Sequence, residues 1–204
     1  MIIPLQTLST NQVYFTMIQT LLPRPVAWVI SENPDTSLNL APFSYFNAIC
    51  SDPPLVMLSL GLKPDGSAKD TRLNIEAGKD FVIHLAHREM AELVTQTSAT
   101  LPRGESELEK AGLAVCEFPD SRLPRLKHCR IAYACQLYDL QEIGNVPQAL
   151  IFAEVTQIYI DDDVIERDAK GRVKVLANKI DPIARLGGSE YTTFGEIINI
   201  PRPD

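Results

Sequence analysis

Short runs of Val, Ile, Leu, Phe and Trp, broken by brief polar segments, cover most of the chain, and few stretches show the three- and four-residue spacing of a helix. Residues 26–30 predict a strand with Trp28 as its largest side chain, entered through Pro23, Arg24 and Pro25, which discourage helix. Residues 31–37 contain Asn33, Pro34 and Asp35 and predict a turn. A second strand is predicted over 41–49, paired with the first as a hairpin, and a third over 55–60 after the Asp52-Pro53-Pro54 break. Residues 63–68 read as a loop. Ser67-Ala68-Lys69-Asp70 matches the S-x-x-D capping pattern, so a helix is predicted from about residue 68 to 77, stopped by Gly78.

Residues 81–86 form a further strand. Met90, Leu93 and Val94 share helical spacing within 88–97, and a short helix over 105–111 closes at Gly112. Two long strands, 130–138 and 149–160, flank a loop at Gly144 and Pro147, and a shorter strand is predicted over 172–176. Residues 1–22 are mixed and predict no clear element. The hairpins and close strand spacing favour an antiparallel sheet, and regular strand–helix–strand alternation is missing. The expected class is mainly β: a closed or partly closed β-barrel with accessory helices packed outside, as one domain over 1–204.

Composition narrows the function. A net charge of −7 argues against nucleic acid as a partner, because phosphate neutralisation needs a basic face. Cys50, Cys116, Cys129 and Cys135 form no CxxC pair and fit no common zinc spacing, so reduced, mostly buried thiols are expected. No signal-like start and no apolar stretch approaching about 20 residues is present, so no membrane partner is expected and the expected location is cytoplasmic. The three histidines, His84, His87 and His128, lack a nearby cluster of further ligands, so no metal site is expected. Neither a G-x-S-x-G elbow nor a Gly-rich phosphate loop occurs, and no catalytic side chain is assigned.

Three segments can still bind a ligand. At 67–71, a helix start offers free N–H groups and a partial positive charge, to which Lys69 adds a full charge and Ser67 and Thr71 add hydroxyls. At 42–47, Phe43, Tyr45 and Asn47 share one strand face and Ser44 and Phe46 the other, so polar groups sit among aromatic walls. Arg185-Leu186-Gly187-Gly188 with Tyr191 combines close backbone approach and a planar cation. Each has an ordinary structural reading too: a helix cap, an amphipathic strand, a surface turn.

Taken in order, RPVAWV, NLAPFSYFNAICSDPPLVMLSLG, KDTRLNI and FVIHLA resemble the flavin reductase-like family of FMN-binding split barrels, which includes flavoredoxin and the NAD(P)H:flavin oxidoreductases; the late RLGGSEY resembles a family feature as well. The resemblance covers roughly residues 10–200. It implies a six-stranded Greek-key split barrel, a homodimer, and FMN near the subunit interface. Ala41, Pro42, Phe43, Ser44, Tyr45, Phe46 and Asn47 would run along the isoalloxazine ring. Ser59, Leu60 and Gly61 would end the neighbouring strand beside it, and Ser67, Lys69, Asp70 and Thr71 would hold the phosphate. Arg24 and Arg185 would be further contacts. The implied activity is hydride transfer from a transient NAD(P)H to the flavin, with a redox protein or a flavin-dependent monooxygenase as acceptor. A flavoredoxin-like electron carrier without its own NAD(P)H activity is the alternative. Two residues depart from the family pattern: Cys50 stands where serine is frequent, and His84 where asparagine is. His84 is read as a satisfied strand-end histidine, with a ligand contact or a pH effect near the flavin as the other reading.

Overall fold

The computed structural model describes residues 1–203. Its centre is a seven-stranded antiparallel sheet of β1 (Ala27–Glu32), β2 (Leu38–Phe43), β3 (Phe46–Ser51), β4 (Pro54–Leu60), β5 (Asp80–Leu85), β6 (Ile131–Ile143) and β7 (Gln148–Ile160). Their order is β2-β1-β5-β6-β7-β4-β3. The two edge strands are consecutive in sequence. They join through Ser44-Tyr45, where the Tyr45 carbonyl accepts the Ser59 N–H at 2.9 Å. Counted as one bent run, β2 and β3 leave the six-stranded split barrel that the resemblance implies. The strand predicted over 41–49 is therefore broken. Its first half pairs with β1 and its second with β4, and the chain turns a corner to change partners.

Residues 27–30 of β1 are a continuous apolar run, with both faces buried there. Trp28 and Ile30 pack with Leu40, Val82 and Val94 in one cluster. Ala27 and Val29 pack with Phe43, Leu58, Ile83 and Ile151 in the other. Each large aliphatic or aromatic side chain buried this way stabilises by about 1.5–3 kcal/mol. The Trp28 indole N–H is satisfied by Thr97 Oγ1 at 2.8 Å.

Five helices dress the barrel among the described residues: α1 (Thr10–Thr20), α2 (Asp70–Gly78), α3 (Ala91–Gln96), α4 (Glu107–Lys110) and α5 (Ala177–Ile180). α1 lies in the segment without a sequence assignment. Its start is a capping box, in which Ser9 Oγ accepts from Gln12 N and the Gln12 side chain accepts from Ser9 N. Only Ile18 of this helix is buried, although Tyr14, Met17, Ile18 and Leu21 share helical spacing.

α2 corrects the sequence reading at its start. The expected Ser67 cap does not form, because the Ser67 hydroxyl and N–H both go to Asp65 Oδ1, at 2.6 and 2.9 Å. That local turn outcompetes the cap. The N-cap is instead Lys69, and no side chain caps the first turn. Gly78 ends the helix as expected, with Lys79 at φ 66 turning the chain away. Two further expectations changed. The loop over 185–195 contributes Tyr191–Thr192, paired with Ala184–Arg185 in a small sheet. Of the four thiols, only Cys129 and Cys135 are buried. Among the described residues, no helix is long and apolar enough to cross a membrane.

Candidate functional site

A groove opens where the β2–β3 corner, the end of β4 and the start of α2 meet. It has two connected compartments that share Pro42, Phe43, Lys63 and Lys69 on their walls. The larger, about 580 Å³, is walled by Ser44, Tyr45, Ser59 and Gly61 together with Tyr14 of α1 and Gln148 of β7. The smaller, about 200 Å³, reaches past Asp70 and Thr71 to the 97–101 loop and Glu107. Asn39 and Ala41 of β2 line it as well.

The electrostatics differ along the groove. Lys63 Nζ binds Asp70 Oδ2 at 2.8 Å, so the carboxylate at the helix start is neutralised. Lys69 has no carboxylate partner among the described residues. Burial pulls its amine below the ordinary lysine range, the like charge of Lys63 adds to this, and Asp70 opposes it. A half-buried cation beside uncapped helix N–H groups favours an incoming anion. At the larger end, burial raises the Tyr45 phenol, with Tyr14 adding and the Arg24 charge opposing. Tyr45 therefore stays protonated near neutrality and can donate a hydrogen bond. Glu107 is buried, its carboxyl is raised chiefly by burial, and its Oε2 accepts from Leu40 N.

Gly61 lines the larger compartment beside Gln148: a Cβ there would sit 3.2 Å from Gln148 Oε1, so that side chain would have to give way by a few tenths of an ångström.

Most residues expected along a ring and phosphate converge here: residues 41–45, Ser59, Gly61, Lys69, Asp70 and Thr71 all line the groove. Others lie elsewhere. Phe46 packs against the inner core, Asn47 is exposed beyond the corner with its Oδ1 on Ala48 N, and Leu60 is a core residue. Ser67 is tied to Asp65. Arg24 is buried and donates to the Ile18, Leu21 and Leu186 carbonyls, which clamps the end of α1 to the RLGG segment. Arg185 stacks on Tyr191 and donates to the Gly188 carbonyl. His84 makes no groove contact: its Nδ1 meets the Trp28 carbonyl at 3.0 Å and its Nε2 accepts from Leu126 N at 2.9 Å. Sequence reasoning missed Lys63, Asn39, Glu107, Tyr14 and Gln148, which come from distant segments. Only Asn39, a polar residue inside a strand, carries a local signal.

Residues 19–177 match the flavin reductase like domain family. An uncharacterized protein of Halalkalibacterium halodurans is 34% identical, over 97% of this chain and 94% of its own. Nitrilotriacetate monooxygenase component B from Bacillus cereus superposes with a TM-score of 0.89 at 31% identity, covering 98% of both chains. The 2-nitrobenzoate 2-nitroreductase of Pseudomonas fluorescens gives 0.88 at 27% identity, over 100% of this chain and 96% of its own. A split-barrel structure from Shewanella frigidimarina shares the fold at 22% identity, with a TM-score of 0.83 over 98% of this chain and 96% of its own. On the extent of the domain match and the identity to the relative from H. halodurans, the chain belongs to the flavin reductase like domain family.

Proposed function

We propose that this chain is an FMN-binding oxidoreductase that accepts hydride from NAD(P)H and supplies reduced flavin to a separate flavin-dependent monooxygenase. One observation carries the reading: a half-buried Lys69, without a carboxylate partner among the described residues, at an uncapped helix start that opens onto a ring-sized groove walled by Pro42, Phe43 and Tyr45. The fit to FMN is chemical at both ends. Lys69 and the first N–H groups of α2 would hold the phosphate, while the Lys63–Asp70 pair keeps the adjacent carboxylate from repelling it. Ser44, Tyr45 and Ser59 would meet the polar edge of the ring. FMN supplies the hydride-accepting chemistry when bound. The protein's part is to hold the ring with one face open, at a separation of about 3–3.5 Å from the nicotinamide. No acid or base is required for that step, which suits a groove whose tyrosine stays protonated and whose Asp70 is paired.

Adding NADH or NADPH to the FMN-loaded protein is expected to bleach the visible flavin absorbance within seconds. Bleaching by a reduced redox protein alone would instead assign the electron-carrier role. The likeness to a nitroreductase supports a second reading, in which a bound nitroaromatic takes the electrons in place of released flavin. Nitroaromatic-dependent NAD(P)H turnover without added free flavin would select it.

The proposal includes a homodimer. Tyr14, Phe15 and Met17 of α1 are exposed, as is Val146 at the tip of the β6–β7 hairpin. Tyr14 and Val146 border one cleft beside the groove, so a second copy covering this face would also close the groove. Light scattering is expected to give twice the 22.7 kDa chain mass. A monomer at micromolar concentration would count against it.

A further inference from the structure

The end of the barrel interior beneath α2 is polar, not apolar. Ser31, Asn33, Asn39, Thr71 and Asn74 are each at most 4% exposed. They form one hydrogen-bonded cluster. Asn74 Nδ2 donates to Asn33 Oδ1 at 2.8 Å and to Ser31 Oγ at 3.2 Å. Asn39 Nδ2 donates to Thr71 Oγ1 at 3.0 Å and to Ser31 Oγ at 3.3 Å. Asn33 Nδ2 reaches Ser37 Oγ at 3.0 Å.

Apolar residues of similar volume would hold a helix on a sheet as well or better, so stability alone does not explain this cluster. Hydrogen bonds do what apolar contact cannot: they fix one register. Thr71 and Asn74 are three apart, on the same face of α2, and both are bonded to the β1–β2 hairpin. That sets both the rotation of α2 about its axis and its height above the sheet. The first turn, which no side chain caps, is thereby aimed at the groove beside Lys69.

We propose that Ser31, Asn33 and Asn74 are positioning residues that aim the first turn of α2 at a ligand phosphate, so that the cluster sets discrimination between phosphorylated and unphosphorylated flavin. This rests on the FMN reading above. None of the three lines the groove, whereas Asn39 and Thr71 do.

The test is a pair of titrations, FMN and riboflavin, on the wild-type protein and on Asn74→Ala and Ser31→Ala, with folding checked by circular dichroism. The wild type is expected to prefer FMN by at least about tenfold. Asn74→Ala is expected to lose about tenfold for FMN and less than about threefold for riboflavin, so that the preference collapses. Ser31→Ala removes the shared acceptor with a smaller volume change and is expected to show the same selective loss if Asn74→Ala does not fold. Equal weakening of both ligands, or no change in either, overturns the positioning role. A wild type that binds neither flavin, or both equally, overturns the FMN reading itself and is told apart by the wild-type titration alone.

Discussion

Lys69→Ala is expected to weaken FMN binding by about 10- to 100-fold, while riboflavin binding stays within about threefold. Lys69 is half-buried and its amine is already held below the ordinary lysine range by lost solvation and by Lys63. An arriving phosphate restores what burial removed, so the charge-assisted contact should contribute about 1.5–3 kcal/mol. Lys63 cannot substitute for it, because Lys63 Nζ is committed to Asp70 Oδ2 at 2.8 Å. Lys69→Arg is expected to recover most of the affinity, since the charge remains and the guanidinium donates well to phosphate. Fluorescence titration at two salt concentrations checks both points: wild-type affinity for FMN should fall with salt more steeply than that of Lys69→Ala. FMN affinity unchanged in Lys69→Ala would remove the phosphate from this end of the groove.

The parts of this site that are contiguous in sequence are legible through the family resemblance. Residues 41–45 and 69–71 line the groove, although Ser44 and Tyr45 stand at a corner between two strands and the helix has its N-cap at Lys69 rather than Ser67. What was not legible arises from competition or from distance. Ser67 has the right spacing for a cap, but Asp65, two residues earlier, takes its hydroxyl first. Asn39 and Thr71 are 32 positions apart, and Leu40 and Glu107 are 67 apart, so no local pattern could announce that they meet. The helix α1 is a different case. Tyr14, Met17, Ile18 and Leu21 do stand at three- and four-residue spacing, and Ser9 and Gln12 form the two halves of a capping box, signals that the reading of residues 1–22 as mixed leaves unused. Tyr14, Phe15 and Met17 nonetheless stay exposed in the single chain.

Arg24 shows how a site-like residue can serve the scaffold. The family resemblance implies a further cofactor contact for it, yet its guanidinium closes the end of α1 against Leu186. The adjoining Gly187 belongs to the same clamp, because a Cβ there would fall 2.6 Å from Gln19 Cγ. The RLGG motif thus holds the helix that brings Tyr14 to the groove.

The second large effect is acid sensitivity from His84. The ring is fully buried and bridges two backbone groups, the Trp28 carbonyl and the Leu126 N–H. Accepting at Nε2 requires a neutral imidazole with its proton on Nδ1. Protonation would set a second donor against the Leu126 N–H and place a charge near Arg125. Burial chiefly, and Arg125 in addition, pull the pKa from 6.5 to about 4, with the Trp28 bond opposing. Above about pH 6.5 the histidine is neutral in both folded and unfolded chains, and the stability is fully present. Between 6.5 and about 4 the unfolded chain takes up a proton that the folded chain refuses, so stability falls as pH falls. The slope is about 1.4 kcal/mol per pH unit and the total about 3 kcal/mol. His87, also depressed by burial, acts in the same direction, whereas Glu107, raised by burial, acts in the opposite one. A comparison with His84→Gln isolates the effect: urea unfolding from pH 7.5 to 4.5 should give a shallower acid loss in the variant, by close to one proton, whatever its stability at neutral pH. Parallel profiles for the two proteins would mean that His84 is protonated in the fold, and that the Leu126 bond is not made as the geometry has it.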